Sequence, residues 1–431
     1  MKYLLPFLIL LVCGSVYAQK PPSAINTIIN PQAVENIEKV LSSDAMRGRA
    51  TFTPDIDRAA AFIETQFKAA GLKTLDGSPS YLQSFAMVNA KLIAASGSLD
   101  GVSLPESSIA VASSSTHIEV NENSGYEKVF IKAGGSLLDV LKYLSQDKKN
   151  YLVLIDTSFA KKFPRVKDFA GQQFKSPRNV VIALTFADPS KFSFTIDQEV
   201  SERKLANVVG ILPGRSRKNE YVIFSAHYDH LGVGQPDNKG DSIFNGANDD
   251  ASGSTAVMIL AKYFSKIHNN QRTLVFATFT GEEIGGFGSQ YFSRQFDPAT
   301  VMAMFNIEMI GTESKWGINS AYITGYEKTD MGNILKKNLA GSGFTFHPDP
   351  YPDQQLFYRS DNATLARQGV PAHTISTSKM DSEKYYHTQG DEIGTLDMKN
   401  MARIIKSIAI SAKTIIAGTD TPSRVDATQL R

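Results

Sequence analysis

The second half of the chain alternates between two apolar patterns, and this alternation constrains the fold more than any other feature. From Leu205 onward, short apolar runs typical of buried strands are separated by longer segments with helical spacing, such as residues 253–268 and 398–418. Strands that alternate with helices predict a largely parallel sheet covered on both faces. The predicted fold is therefore α/β, a three-layer sandwich with a mixed, largely parallel central sheet.

Two further regions precede this pattern. Helical spacing recurs in residues 31–43 and 55–72, with a turn-like stretch between them. From about residue 92 to about residue 199, short β-like runs alternate with breaks rich in Ser, Gly and Lys, which predicts an inserted, β-rich smaller domain. We therefore assign residues 31–91 and 203–417 to the main domain and residues 92–202 to the insertion.

The N-terminus has the pattern of a secretory signal peptide. Lys2 is followed by the apolar run Leu4–Val12 and a small-residue site ending at Ala18, so we expect removal of residues 1–18 and export to the periplasm or the medium. A retained anchor and lipidation of Cys13 are alternatives. Cys13 is the only cysteine, so a metal site in the mature chain would need His, Asp and Glu. No later apolar run reaches the roughly 18 residues of a membrane span.

Composition narrows the classes of partner. The chain has 45 basic and 43 acidic residues, for a net charge of +2, which leaves no strong basic stripe for nucleic acid. We therefore expect no nucleic-acid partner, and the sequence leaves the oligomeric state open.

Two adjacent carboxylates, Glu282 and Glu283, follow the strand-like run of residues 272–280 and are predicted to open a helix. Neighbouring residues at a strand end point in different directions, so one carboxylate can hold a metal while the other moves a proton. The alternative is an ordinary solvated helix start.

Four other elements have the same ambiguity when each is taken alone. His227 ends a predicted strand and Asp229 follows it, which suits a metal ligand and its orienting partner or simply a core histidine. Asp249 precedes a helix, where it could bridge two cations or act as an N-terminal cap. Glu308 stands in an apolar run and needs a partner, either a metal ion or an arginine. His387 follows Tyr386 in a polar segment.

Together these elements resemble the di-zinc aminopeptidase family, which includes bacterial leucyl aminopeptidases, glutamate carboxypeptidases and glutaminyl cyclases. The motifs that carry the resemblance are AHYDHLG, FNGANDDASG, TGEEIGGFGS, NIEMIG, YRSDNATLARQGVPA and YYHTQGDE. They occur in order, within a resemblance that covers about residues 31–90 and 203–417.

The resemblance implies two Zn²⁺ ions per chain and a peptide substrate. The metal ligands would be His227, Asp249, Glu283, Glu308 and His387, with Asp249 bridging both ions and joined to Asp250 by a cis peptide bond. Glu282 would be the general base. Tyr386 would donate a hydrogen bond to the oxyanion or simply pack, and Arg359 would contact the carboxylate side of the substrate or form a structural ion pair.

The chain departs from the family pattern at Glu308, where aspartate is more frequent, so we expect a shifted carboxylate that still binds. The insertion occupies the place where many family members have a protease-associated domain. Three other functions remain as alternatives: a glutaminyl cyclase of the same fold, a carboxypeptidase or dipeptidase, and a non-catalytic binding relative.

Overall fold

The computed structural model describes residues 23–75, 77–144 and 149–430. The predicted signal peptide, residues 1–18, and Cys13 lie outside the described residues. Within these ranges the chain forms strands and helices in the order expected from the sequence.

The strands, numbered along the chain, are β1 (Leu82–Leu99), β2 (Val102–Leu104), β3 (Ile109–Ala112), β4 (His117–Asn121), β5 (Glu127–Ile131), β6 (Tyr151–Asp156), β7 (Gln172–Phe174), β8 (Val180–Thr185), β9 (Phe192–Leu212), β10 (Arg217–His227), β11 (Gly232–Val233), β12 (Ile243–Phe244), β13 (Arg272–Phe279), β14 (Val301–Ile307), β15 (Ser320–Ile323), β16 (Thr345–Pro348) and β17 (Ala372–Ser376).

The α-helices are α1 (Ala24–Ile28), α2 (Pro31–Leu41), α3 (Pro54–Ala69), α4 (Leu137–Leu144), α5 (Phe163–Gly171), α6 (Ser252–Ile267), α7 (Phe287–Ser293), α8 (Met331–Asn338), α9 (Asn362–Ala366), α10 (Met398–Ser411) and α11 (Lys413–Ile416). The predicted helices in residues 31–72 correspond to α2 and α3. Each begins with Pro at its first position, where the missing N–H costs no hydrogen bond.

The main sheet confirms the predicted mixed, largely parallel architecture. Its strand order is β16-β15-β17-β14-β10-β13-β9-β1-β2, with β4 and β7 attached to β9 and β1. The centre is parallel, since β10 pairs in parallel with both β13 and β14, and β14 with β17. Strand β9 joins this centre in antiparallel orientation. The parallel strands therefore place their carboxyl ends at one edge of the sheet.

Helices cover both faces of this sheet because side chains along each strand alternate between two cores. Phe224 of β10 stacks on Phe264 of α6, at 5.5 Å between ring centroids, and on Phe305 of β14, at 5.0 Å. Its neighbour Ile223 lies in the core on the opposite face. Helices α2, α3, α6 and α10 pack on the first face, whereas α7 and α9 lie on the second.

The insertion has a sheet of its own, in the order β3-β8-β6-β5. Strands β1 and β9 connect it to the main sheet and pair with each other from Leu82 to Leu99. The predicted boundaries, 91/92 and 202/203, fall inside these two strands, so the division into domains stays a prediction. Among the described residues, no helix is long and apolar enough to cross a bilayer.

Candidate metal centre

Three of the predicted ligand segments follow adjacent parallel strands. His227 is the last residue of β10, Glu308 comes directly after β14, and Glu282 and Glu283 follow shortly after the end of β13. Because β14, β10 and β13 are neighbours, the ends of these strands meet at one edge, which is where α/β sheets bind ligands.

Asp249 reaches the same point from the turn that precedes α6. The Asp249–Asp250 peptide bond is cis, as the resemblance implied. The backbone N–H groups of Asn248 and Asp249 donate to Asp391 at 2.8 and 3.0 Å. Asp250 accepts from the backbone N–H groups of Gly253 and Met309, each at 3.0 Å. Two buried carboxylates therefore hold the turn that carries Asp249.

The two oxygens of Asp249 face different histidines. Oδ1 lies 3.1 Å from Nε2 of His227, and Oδ2 lies 3.2 Å from Nε2 of His387. The same His387 nitrogen is 3.1 Å from Oε2 of Glu283. Asp249 thus stands between two groups of nitrogen and oxygen donors, which is the arrangement required of a bridging carboxylate.

These donors fit zinc as a ligand-bound ion. Ligand atoms of His227, Asp249 and Glu308 lie within 4.8 Å of one another, and so do those of His230, Asp249 and Glu283. Among the described residues, the buried Nε2 atoms of His227, His230 and His387 and Oε2 of Glu308 have no hydrogen-bond partner. Such orphaned buried atoms are rare in folded proteins, and zinc takes nitrogen and carboxylate oxygen ligands.

The pKa values of the adjacent Glu282 and Glu283 are shifted in opposite directions. Burial raises the pKa of Glu282 well above its ordinary value, and nearby carboxylates add to this effect. Burial acts in the same direction on Glu283, but the imidazoles of His230 and His387 outweigh it and lower the pKa. A pair of carboxylates whose pKa values are separated in this way can divide acid–base work from charge binding.

Asp229 orders both glutamates through their backbone. Its Oδ1 accepts from the N–H of Glu282 at 3.2 Å, and its Oδ2 from the N–H of Glu283 at 3.3 Å. Nδ1 of His227 lies 3.1 Å from the backbone carbonyl of Asp229. This contact occupies Nδ1 and leaves Nε2 directed at Asp249, the orientation that a metal-binding imidazole needs.

The predicted helix start at Glu282 is wrong in detail. Helix α7 begins only at Phe287, because Gly285 and Gly286 adopt positive φ values of 123° and 70° that do not continue a helix. Both glutamates therefore lie in a turn, where their backbone N–H groups are free to reach Asp229.

His230 was not predicted to have a role of its own. Its side chain is buried, and its Nδ1 lies 2.8 Å from Oε1 of Glu283 but 4.0 Å from Asp249. Ligand atoms of His230, Asp249 and Glu283 lie close enough together to hold one ion, and His387 contacts the same two carboxylates, so His230 is a further candidate ligand beside His387. The repeated histidine in the AHYDH segment was the available signal.

Glu308 follows an apolar strand, but its side chain lies among the charged residues of the centre. Its pKa is raised to about 7, chiefly by burial; the imidazole of His227 opposes this shift and the Asp249 carboxylate adds to it. The side chain also lines a pocket with Tyr386, Arg359 and Ser360. Glu308 thus belongs both to the first donor group and to a pocket wall.

Tyr386 and Arg359 lie beside the centre without contacts that assign a role. The Tyr386 ring stacks on the imidazole of His387 at 3.9 Å between centroids. Arg359 is exposed and donates to Oε1 of Gln354 at 3.2 Å. No carboxylate of the described residues lies within ion-pair distance of Arg359, so the ion-pair alternative has no partner in this part of the chain.

Asp361 is a second residue that the sequence did not indicate. It is 2% exposed, and both of its carboxylate oxygens lack a hydrogen-bond partner among the described residues. Burial raises its pKa to about 6, opposed by the imidazole of His227.

A separate cavity of about 860 Å³ in the insertion is lined by none of the predicted site residues.

Histidines and carboxylates gather at one edge of the α/β sheet, and they form a centre of the type that binds zinc. Residues 207–411 match the model of peptidase family M28. Over these residues, a little under half of its length, the chain is similar to that family.

Curated relatives share part of their length with this chain. A probable leucine aminopeptidase from Trichophyton verrucosum is 30% identical over 204 residues, 45% of this chain and 53% of the relative. Leucine aminopeptidase 1 from Ajellomyces capsulatus is 26% identical over 289 residues, 63% of this chain and 72% of that protein. The chain thus spans only about half the length of the Trichophyton protein.

Two solved structures extend the likeness of fold to nearly the whole chain. The aminopeptidase from Aneurinibacillus sp. strain AM-1 superposes with a TM-score of 0.54 at 19% identity, covering 95% of this chain and 98% of that one. The zinc aminopeptidase BSAP from Bacillus subtilis gives a TM-score of 0.55 at 15% identity, with coverages of 90% and 95%.

Proposed function

We propose that this protein is an exported, zinc-dependent aminopeptidase that removes N-terminal residues from peptides. The observation that carries the proposal is the convergence of His227, Asp249, Glu283, Glu308 and His387 at one sheet edge, with buried donor atoms left without partners. The names of the similar proteins support the same activity. Export rests on the sequence pattern of residues 1–18.

The donors divide into two groups that share Asp249. His227, Asp249 and Glu308 would hold one zinc ion, and Asp249, Glu283 and His387 would hold the other. Zinc, when bound, supplies Lewis acidity toward the scissile carbonyl and lowers the pKa of water toward neutrality.

Glu282 moves the proton in this proposal. Burial raises its pKa above the ordinary value, and a carboxylate at this place would accept a proton from the attacking water and return it to the leaving amine. Asp229 keeps Glu282 in place through the backbone N–H that it accepts. The free α-amine of the substrate would be recognised by carboxylates such as Glu308.

A substrate panel with and without a chelator tests this function. Leucyl p-nitroanilide should be hydrolysed, its N-acetylated form should resist, and activity should vanish with chelator and return with zinc. Hydrolysis of the acetylated substrate would remove the aminopeptidase assignment. Cyclisation of an N-terminal glutaminyl peptide without hydrolysis of other peptides would identify a glutaminyl cyclase instead.

A further inference from the structure

Arg49 is fully buried, and its guanidinium donates only to backbone carbonyls. Nε donates to the carbonyl of Tyr228 at 2.8 Å, and Nη2 to that of Gly246 at 2.9 Å. Nη1 donates to the carbonyls of Leu41 and Asn245, each at 2.6 Å. A single side chain thereby joins its own part of the chain, including the nearby Leu41, to two loops that lie 179 and 196 residues further along.

The two distant loops carry proposed ligands of the metal centre. Tyr228 directly follows His227, and Gly246 begins the turn that contains Asp249. The backbone carbonyl of Arg49 also accepts from the N–H of His230 at 3.2 Å. The distance of 3.1 Å between Nε2 of His227 and Oδ1 of Asp249 therefore depends on two loops that Arg49 holds together.

The backbone around Arg49 is shaped to reach this position. Arg47, Gly48 and Arg49 have consecutive positive φ values of 48°, 68° and 48°. A Cβ atom on Gly48 would lie 2.4 Å from the carbonyl oxygen of Gly232 and 2.5 Å from that of Phe244. Positive φ at non-glycine residues persists only where the surroundings enforce it, which here means tight insertion between the loops.

Arg49 also brings positive charge beneath an acid-rich centre. Burial lowers its pKa, while the carboxylates of Glu38, Asp391, Asp229 and Asp249 oppose that shift. Counter-charge alone could explain a buried cation at this place. Four short bonds to carbonyls add a geometric requirement that a point charge cannot meet, because only the planar guanidinium offers five donors in a fixed fork.

We propose that Arg49 is a positioning residue of the metal centre, whose guanidinium sets the spacing of the His227 and Asp249 loops and thereby the affinity for zinc. This inference rests on the proposed zinc site. It assigns no contact between Arg49 and the substrate or the ions.

The test measures the zinc Kd of the mature protein by competition with a chromogenic chelator, together with zinc stoichiometry. Arg49→Met and Arg49→Lys should both raise the Kd at least about 10-fold, since loss of a group that orients metal ligands typically costs 10- to 100-fold. Arg49→Lys keeps the charge but cannot serve four carbonyls. A wild-type Kd in Arg49→Lys with a raised Kd in Arg49→Met would overturn positioning in favour of counter-charge.

Arg272 provides a matched control for general loss of stability. It is 1% exposed and donates to the carbonyls of Ile415 and Asp420, each at 2.8 Å, and to Glu220 at 2.6 Å. It begins β13, at the end of the sheet opposite the metal centre. Arg272→Met should lower the Tm of the zinc-free protein yet leave the zinc Kd within about threefold of wild type. An equal rise in Kd for Arg272→Met and the Arg49 variants would refute the proposal.

A milder pair of variants covers the case in which the Arg49 variants do not fold. Nδ2 of Asn245 donates to the carbonyl of Ser42 and to Oδ1 of Asp44, each at 2.9 Å, and so ties the same loop to the same segment. Asn245→Ala should raise the zinc Kd at least about threefold. Asn270→Ala, which removes a buried amide with carbonyl acceptors near the start of β13, should not.

The outcomes separate the two proposals. Wild-type protein that binds no zinc would remove the proposed function and this inference with it. Wild-type protein that binds zinc and hydrolyses peptides, with unchanged Kd in the Arg49 and Asn245 variants, would overturn the positioning role alone.

Discussion

Replacing Glu282 by glutamine tests the division of labour between the two adjacent glutamates. Glutamine has nearly the shape of glutamate but cannot accept a proton at neutral pH. Its backbone N–H would still donate to Asp229, so the turn that carries Glu283 should remain in place. The substitution therefore removes proton transfer while it preserves the donors proposed for zinc.

The expected loss follows from the contribution of a positioned general base. Such a group typically contributes 10²- to 10⁴-fold, which corresponds to about 3–5 kcal/mol of transition-state stabilisation. Glu282→Gln should lower kcat on leucyl p-nitroanilide by that factor, with KM changed much less. Zinc content per chain should equal that of the wild type.

Glu283→Gln is the matched control, because the same chemical change falls on the neighbouring residue. Glu283 contacts His387 at 3.1 Å and His230 at 2.8 Å, so this variant should lose zinc as well as activity. Near-normal turnover of zinc-loaded Glu282→Gln would refute the reasoning. Loss of zinc in Glu282→Gln would instead make Glu282 a ligand.

Three further predictions use other parts of the molecule. Glu308→Asp should retain zinc and change KM more than kcat, because the shorter carboxylate alters a pocket wall; unchanged metal content and kinetics would remove Glu308 from the site. His387→Ala should lower the zinc stoichiometry toward one ion per chain. Since His387 is partly exposed, the Tm of the chelator-treated variant should stay within a few degrees of that of the wild type. Full zinc occupancy would contradict the place of His387 in the second donor group. Burial lowers the pKa of His373 to about 4 from 6.5, so its contribution to stability is complete above pH 6.5 and is lost as the pH falls through 4. The difference corresponds to about 3 kcal/mol. In urea unfolding, the free energy of unfolding of His373→Asn should therefore fall less steeply between pH 6.5 and pH 4 than that of the wild type. Parallel pH dependences of the two proteins would contradict this prediction.

The order of strands and helices in the main domain could be predicted because local apolar patterning determines it. Residues 253–268 and 398–418 show helical spacing. The first stretch corresponds to α6, which ends at Ile267, and the second is divided in the structure between α10 and α11, which ends at Ile416. The strand-like runs before His227 and Glu308 correspond to β10 and β14. Hydrophobic periodicity is a property of neighbouring residues, so it can be recognised in the sequence without knowledge of distant contacts.

The boundaries of the insertion could not be predicted from the sequence, because they depend on contacts between distant residues. Strands β1 and β9 continue across the predicted boundaries because they pair with each other, Leu82–Leu99 of β1 with Phe192–Val208 of β9. Their pairing joins segments more than 90 residues apart. Composition changes along the chain at these places, but strand pairing does not follow composition.

For the chemistry of the site, too, some features could be predicted from the sequence and others depend on the tertiary structure. The sequence by itself determined which donors are available: an isolated His227, an Asp pair at 249–250, adjacent glutamates and His387, each with a local alternative. Only the tertiary structure decided that Asp249 faces both histidines, that Asp229 orders the glutamate turn, and that Arg49 holds the loops beneath them. These relations depend on distances between residues remote in sequence, which packing of the whole sheet sets and no local pattern encodes.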